Sequence, residues 1–153
     1  MRYFCNLYIK SDTKNTPANI FEPAVIRMLE FYDRESAIGL ATTERLRKTF
    51  EHWPSDQKGR RPIIRSDLPR YFWTLSSQKA VSTDEDDPYI HVSWLLSRLK
   101  GVLVSDLIEQ GIECKLSFYW GGLGTGGGPL IAPRLSELLH KHQVYLGIGF
   151  YPL

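Results

Sequence analysis

The chain predicts an α+β domain, a mixed and mostly antiparallel sheet with helices packed on it, and three stretches carry that prediction. Glu113 to Trp120 alternates apolar and polar residues, with Cys114, Leu116, Phe118 and Trp120 on one face. Gln143 to Phe150 alternates in the same way, with Val144, Leu146, Ile148 and Phe150 together. Arg2 to Lys10 does so again, sending Tyr3, Cys5, Leu7 and Ile9 one way and Phe4, Asn6, Tyr8 and Lys10 the other. Period two sustained over such a length is the mark of a half-buried strand.

After the first strand, Ser11 to Thr16 reads as a polar turn. Pro23 opens a helix carrying Val25, Met28, Leu29 and Tyr32 at i, i+3, i+4 and i+7. Thr42 or Thr43 caps a second helix in which Leu46, Phe50 and Trp53 share a face, and Pro54 ends it. Ser55 to Arg70 is an extended basic excursion containing Lys58, Arg60, Arg61, Arg65 and Arg70. Tyr71 to Ser77 is a short strand with Tyr71, Trp73 and Leu75 on one face.

An acidic loop, Ser82 to Pro88, then leads into a helix. Asp87 is its N-cap, Pro88 fits its first turn, and the neighbouring carboxylates suit its dipole. That helix runs towards Gln110 with Val92, Leu95, Leu96, Leu99, Leu103, Leu107 and Ile108 as its apolar stripe. Gly101 loosens or divides it and Gly111 stops it. A glycine-rich loop, Gly121 to Gly128, reads as a mobile surface loop. A short helix begins near Pro133, with Leu135, Leu138, Leu139 and His142 at helical spacing. Strand order is left open; a ferredoxin-like variant is among the arrangements this order of elements allows.

Composition narrows the function classes. A chain of 153 residues is expected to form a single domain, residues 1–153, and is long enough to bury roughly 70% of its unfolded surface. Hydrophobic residues at 42% and charged residues at 24% are ordinary for a globular protein. A net charge of +2 does not announce a nucleic-acid or membrane partner. No apolar run reaches the ~20 residues of a membrane span, and no leader-like apolar segment opens the chain. A cytoplasmic protein is expected. The two cysteines, Cys5 and Cys114, fall on apolar strand faces and are expected to be buried free thiols.

No motif for a cofactor or metal survives inspection. Gly122-Leu-Gly-Thr-Gly-Gly127 spells a dinucleotide fingerprint, yet Pro129 and Pro133 delay the helix whose amides would hold the pyrophosphate. No acidic residue follows Glu137 to hold a ribose, and no Gly-Lys-Ser/Thr ending makes a phosphate loop. His140 and His142 are two apart and diverge on a helix, and the acidic run lacks calcium-loop spacing. No nucleophile–base pair can be assembled, so a non-enzymatic protein is expected, with no cofactor and no metal.

Two surfaces remain. The run Asp84, Glu85, Asp86, Asp87 is a solvated helix start on capping grounds alone, and a recognition patch if a basic partner meets it. The strand sides opposite the aliphatic faces present Phe4, Tyr8, Lys10, Lys115, Tyr119, Tyr145 and Tyr151, an aromatic and basic set. Such a face stacks bases in some RNA-binding sheets or anchors proteins through tyrosines. Two-sided burial is common in sheets, which favours helices of the N-terminal half covering it.

Leu7-Tyr-Ile-Lys-Ser-Asp12, the Lys58-Gly59 turn, Trp73-Thr-Leu-Ser-Ser77, the Gly111 to Ser117 strand and the Leu-Xaa-Xaa-Leu helix before the last strand form a further pattern. In these motifs the sequence resembles a bacterial family catalogued as domain of unknown function 4279. Glu30 to Gln57 departs from that pattern as an insertion. The family brings no catalytic motif. Proteins of this kind resemble those encoded beside secreted bacterial toxins, which implies an immunity protein that binds and neutralises a cognate toxin. Partner-binding candidates are then Asp84, Glu85, Asp86 and Asp87, with Tyr8, Tyr119 and Tyr145 as the second set. The alternative is a small-ligand or nucleic-acid-binding regulatory domain using the tyrosine and lysine face.

Overall fold

The computed structural model describes residues 2–36, 69–122 and 128–152. Within them the order is β1 (Arg2–Ser11), α1 (Thr16–Ile20), α2 (Pro23–Ile26), β2 (Glu30–Asp33) and β3 (Tyr71–Ser76). A 3-10 turn (Ser77–Lys79) follows, then α3 (Pro88–Leu96), α4 (Val104–Glu109), β4 (Glu113–Gly122), α5 (Pro133–His142) and β5 (Leu146–Pro152). The five strands form one sheet in the order β2-β3-β1-β4-β5. All neighbours are antiparallel except β4 and β5, which α5 joins as a parallel crossover. The fold is α+β. The central strand β1 is antiparallel to both of its neighbours.

Alternation decides which side of the sheet is dry. Cys5, Leu7 and Ile9 of β1 share a face with Tyr71, Trp73 and Leu75 of β3 and with Leu116 and Phe118 of β4, and all are buried. The helices supply the other half of this core: Ile20, Phe21 and Val25 from the α1–α2 region, Val92, Leu95 and Leu96 from α3, Val104 and Leu107 from α4, and Leu135 from α5. Trp73 is a core residue, whereas Trp120 is half-buried beside the Phe150 ring, centroids 4.6 Å apart.

Several expected elements take a different form. The helix from Pro23 stops after four residues, and Tyr32 lies in β2, paired with Phe72. The i, i+3, i+4 pattern there is a coincidence of spacing. The aromatic Phe31 instead joins a ring cluster with Tyr71 and Trp73, at 6.0 and 5.7 Å, which favours a strand. Thr16 starts α1 where a turn was expected, with Pro17 in its first turn.

The long helix towards Gln110 is two helices. After Leu96 the chain bends so that Leu99 bridges to Phe21 and the Lys100 N–H reaches the Ile20 carbonyl at 2.9 Å. Gly101 takes φ +62°, a conformation side chains resist. The expected stripe therefore breaks: Leu103 becomes the N-cap of α4, and Ile108 is 51% exposed. At the end of α5, Gln143 sits at φ 52°, which shifts the start of the last strand to Leu146. Ile148 and Phe150 share the apolar face but stay about half exposed beyond the cover of the helices.

The helix expected from Thr42 to Trp53 and residues 55–68 of the basic excursion lie outside the described residues, as does most of the glycine loop. Arg70, at the end of the excursion, is tied to β2: its Nε is 3.0 Å from Asp33 Oδ1 and its Nη1 3.1 Å from Glu35 Oε2. Among the described residues no helix is long and apolar enough to cross a membrane.

Candidate functional site

The acidic loop is built into the fold from both ends. Asp87 caps α3, its Oδ1 accepting the Tyr89 N–H at 2.9 Å. Its other oxygen meets Arg134 of α5, whose guanidinium lies over the Tyr89 ring, 4.2 Å from the centroid. Glu85 turns inward: its Oε1 accepts the Asp87 N–H at 3.1 Å. The Thr83 carbonyl accepts the Tyr3 N–H at 2.8 Å, joining the loop to β1. Asp84 and Asp86 are left exposed to solvent. Of the four candidate carboxylates, two hold the loop and two are free to meet a partner.

Beneath the loop lies a hydrogen-bonded chain with no signature in sequence. The Glu85 carbonyl is 2.7 Å from His91 Nε2, and a carbonyl only accepts, so Nε2 carries the proton. His91 Nδ1 is then the acceptor for the Ser77 hydroxyl at 2.8 Å, and Ser77 Oγ itself accepts the Cys5 N–H at 2.8 Å. Ser77 and His91 are both fully buried. Burial holds the imidazole below its ordinary pKa, against the opposite pull of Glu85 and Asp87. A serine and a histidine in contact resemble a nucleophile and its base, but here no substrate can reach the hydroxyl. The pair is a structural node that replaces a missing ladder bond of β1.

Next to the loop is a depression of about 430 Å³, lined by Tyr3, Asp86, Asp87, Pro129, Leu130 and Ala132 among others. Leu130 is 87% exposed and Ile131 is 46% exposed. Gly128 lies against the Trp120 ring, where a Cβ would be in ordinary contact at 3.5 Å, which seats this segment on the end of β4. The surface thus sets the exposed Leu130 side chain beside the exposed Asp86 carboxylate. Arg134, Tyr3 and Leu130 were invisible as members of it, since the crossover that brings α5 to the acidic loop is a tertiary fact.

The tyrosine face is partly assembled. Tyr8 and Tyr119 hydroxyls are 2.9 Å apart, and Asn6 Nδ2 donates to the Tyr8 oxygen at 3.1 Å. Phe4 stacks on Tyr119, with centroids 5.1 Å apart, and Tyr119 lies over the Gly149 backbone, where a Cβ would be 3.3 Å from its ring. Lys10 sits 5.6 Å from the Phe72 centroid. Tyr145 is not part of this group. It precedes β5 and is 91% exposed. Coverage by N-terminal helices is not the arrangement of α1 and α2, whose buried residues join the core on the opposite side; the helix expected from Thr42 lies outside the described residues.

The thiols differ. Cys5 is fully buried and its thiol is pushed far above the ordinary range by burial. Cys114 is only half-buried, opposite Ile9, although burial raises its thiol to about 12. Neither has the electropositive exposure of a reactive cysteine. Among the described residues no three His, Cys, Asp or Glu side chains gather as metal ligands. Comparison of the chain with family models, with curated proteins and with solved structures finds no match in any of the three.

Proposed function

We propose that this protein is a non-enzymatic binding domain that docks another protein through the acidic loop and the adjoining depression. The observation that carries this reading is the division of labour among the four carboxylates. Glu85 and Asp87 are spent on holding the loop, so Asp84 and Asp86 are presented on a fixed backbone, with Asp86 lining the same depression as exposed Leu130. Aliphatic anchors rimmed by charge are what a protein interface needs, and the partner's matching surface is basic with an apolar knob or cleft. The family resemblance supplies the concrete form: a cytoplasmic immunity protein whose loop fills the basic, phosphate-binding cleft of a toxin nuclease. Neutralisation at nanomolar concentration asks for about −12 kcal/mol, which a few well-placed anchors supply.

The test uses the product of the adjacent gene and measures association at low and high salt. Asp84→Ser with Asp86→Ser leaves both structural carboxylates in place, so the melting temperature is unchanged. The expected result is slower association with most of its salt dependence lost. Unchanged binding in this double variant moves the interface to the Tyr8 and Tyr119 face, where the stacked rings and lysines favour the second reading, a ligand- or nucleic-acid-binding sheet.

A further inference from the structure

A second opening lies between α3, the Gly101 bend and α5, and shares no lining residue with the depression beside the acidic loop. Its volume is about 310 Å³, at the lower end of the ~300–1,000 Å³ of small-molecule sites. Its apolar part includes Leu96, Leu99 and Leu138, and its polar part is made by Tyr89, Ser93, Ser97, Lys141 and His142.

His142 is the unusual member. Its residue is 6% exposed, and its Nδ1 accepts the Val104 N–H at 3.2 Å, satisfying one of the donors at the start of α4. An imidazole that accepts at Nδ1 carries its proton on Nε2. No described group accepts that proton. His142 is among the residues that line this groove. The same backbone contact fixes the tautomer that offers this donor. Lys141 adds an ammonium group, and no carboxylate lines the groove to neutralise it. The other titratable side chain in the lining is Tyr89 of α3.

We infer that this groove binds a small organic anion with an apolar body, its charged head on the His142 Nε2–H and the Lys141 ammonium and its body against Leu96, Leu99 and Leu138. The described lining holds an ammonium and an imidazole but no carboxylate, which disfavours a cation, and its leucines suit an apolar body; the hydroxyls of Tyr89, Ser93 and Ser97 are its other polar groups. A short-chain carboxylate has the required halves.

Hexanoate is the probe, titrated into isotope-labelled protein while the His142 ring nitrogens and the Leu96 and Leu138 methyl groups are followed by NMR. Saturable shifts of both sets are expected, with acetate and inorganic phosphate binding at least several-fold more weakly because they lack the body. His142→Asn keeps an acceptor near the Nδ1 position for the Val104 N–H but removes the donor at Nε2. It should weaken hexanoate about ten-fold or more, the usual consequence of losing a hydrogen bond to a charged group. Lys141→Gln, at an exposed position, should weaken it about two- to five-fold with no change in melting temperature. Shifts that do not saturate, or that saturate away from His142, overturn the inference. So does equal affinity for acetate, or wild-type affinity in a folded His142→Asn. If His142→Asn proves unstable, Lys141→Gln and the wild-type shift map decide the matter on the same terms.

Discussion

Ser77→Ala is the sharpest perturbation of this fold, because one hydroxyl serves two buried partners. In the wild type, Ser77 Oγ accepts the Cys5 N–H and donates to His91 Nδ1, both at 2.8 Å and both away from water. Alanine leaves a backbone donor and a ring acceptor buried together without partners. Each such group costs about 1–3 kcal/mol; because the two share one site their costs are not additive, and about 3 kcal/mol is expected in total. For a chain of this size that lowers the melting temperature by about 6–12 °C. The loss is read from urea denaturation followed by tryptophan fluorescence, with Ser97→Ala as control. Ser97 donates to the Ser93 carbonyl from an exposed position, so its removal should cost under about 0.5 kcal/mol. A Ser77→Ala loss below about 1 kcal/mol would refute the node, since it would mean that water or a shifted backbone satisfies both groups.

Stability should fall as pH drops from 7.5 to 5.5. His91 and His142 both have pKa values lowered by burial, so the unfolded chain binds more protons in this range and the stability slope with pH is positive. The loss begins as pH falls through the unfolded histidine value of ~6.5, and a urea midpoint that holds or rises at pH 5.5 would contradict it. Gly149→Val should cost about 1–3 kcal/mol by driving side-chain atoms into the Tyr119 ring, 3.3 Å from the position of a Cβ. Gly147→Ala, whose nearest contact would be an ordinary 3.5 Å, should cost less by the same urea assay. Cys5 should resist thiol reagents at pH 8 until denaturant is added; native labelling at Cys5 would mean that β1 does not bury that face.

Most of the sheet was legible because β1, β3 and β4 each run long enough for alternation to stand out; the middle of each assigned face is buried, while Tyr3, Cys114 and Trp120 on it are half-buried. β2 was not, since four residues cannot establish a period and Val25, Met28, Leu29 and Tyr32 mimic a helix by chance. The break at Gly101 was half visible: the glycine suggested it, but the pull of Ile20 and Phe21 on Leu99 and Lys100 is long-range. At the acidic loop, Asp87 as a cap was readable from Asp-Pro before an apolar run. That Glu85 is structural depends on its turn back to the Asp87 N–H and on the burial of His91, and that Arg134 neutralises Asp87 depends on the α5 crossover. The Ser77–His91 contact spans a 3-10 turn and a loop whose path no local pattern specifies. Tyr8 and Tyr119 meet because β1 and β4 pair, whereas Tyr145 stands apart because the turn at Gln143 postpones β5.

The acidic loop is anchored at three points to three different elements: Thr83 to β1, the Glu85 carbonyl to His91 of α3, and Asp87 to Arg134 of α5. Ordering a loose loop on contact typically consumes about 0.5–1.5 kcal/mol for each side chain immobilised. A loop already fixed to the frame keeps that free energy for affinity. It also makes the spacing of Asp84 and Asp86 a rigid ruler: a partner whose basic groups do not match it gains nothing by waiting for the loop to adapt. On the proposed function, discrimination between closely related partners would then reside in geometry set by the sheet, several residues away from the carboxylates proposed to make the contact.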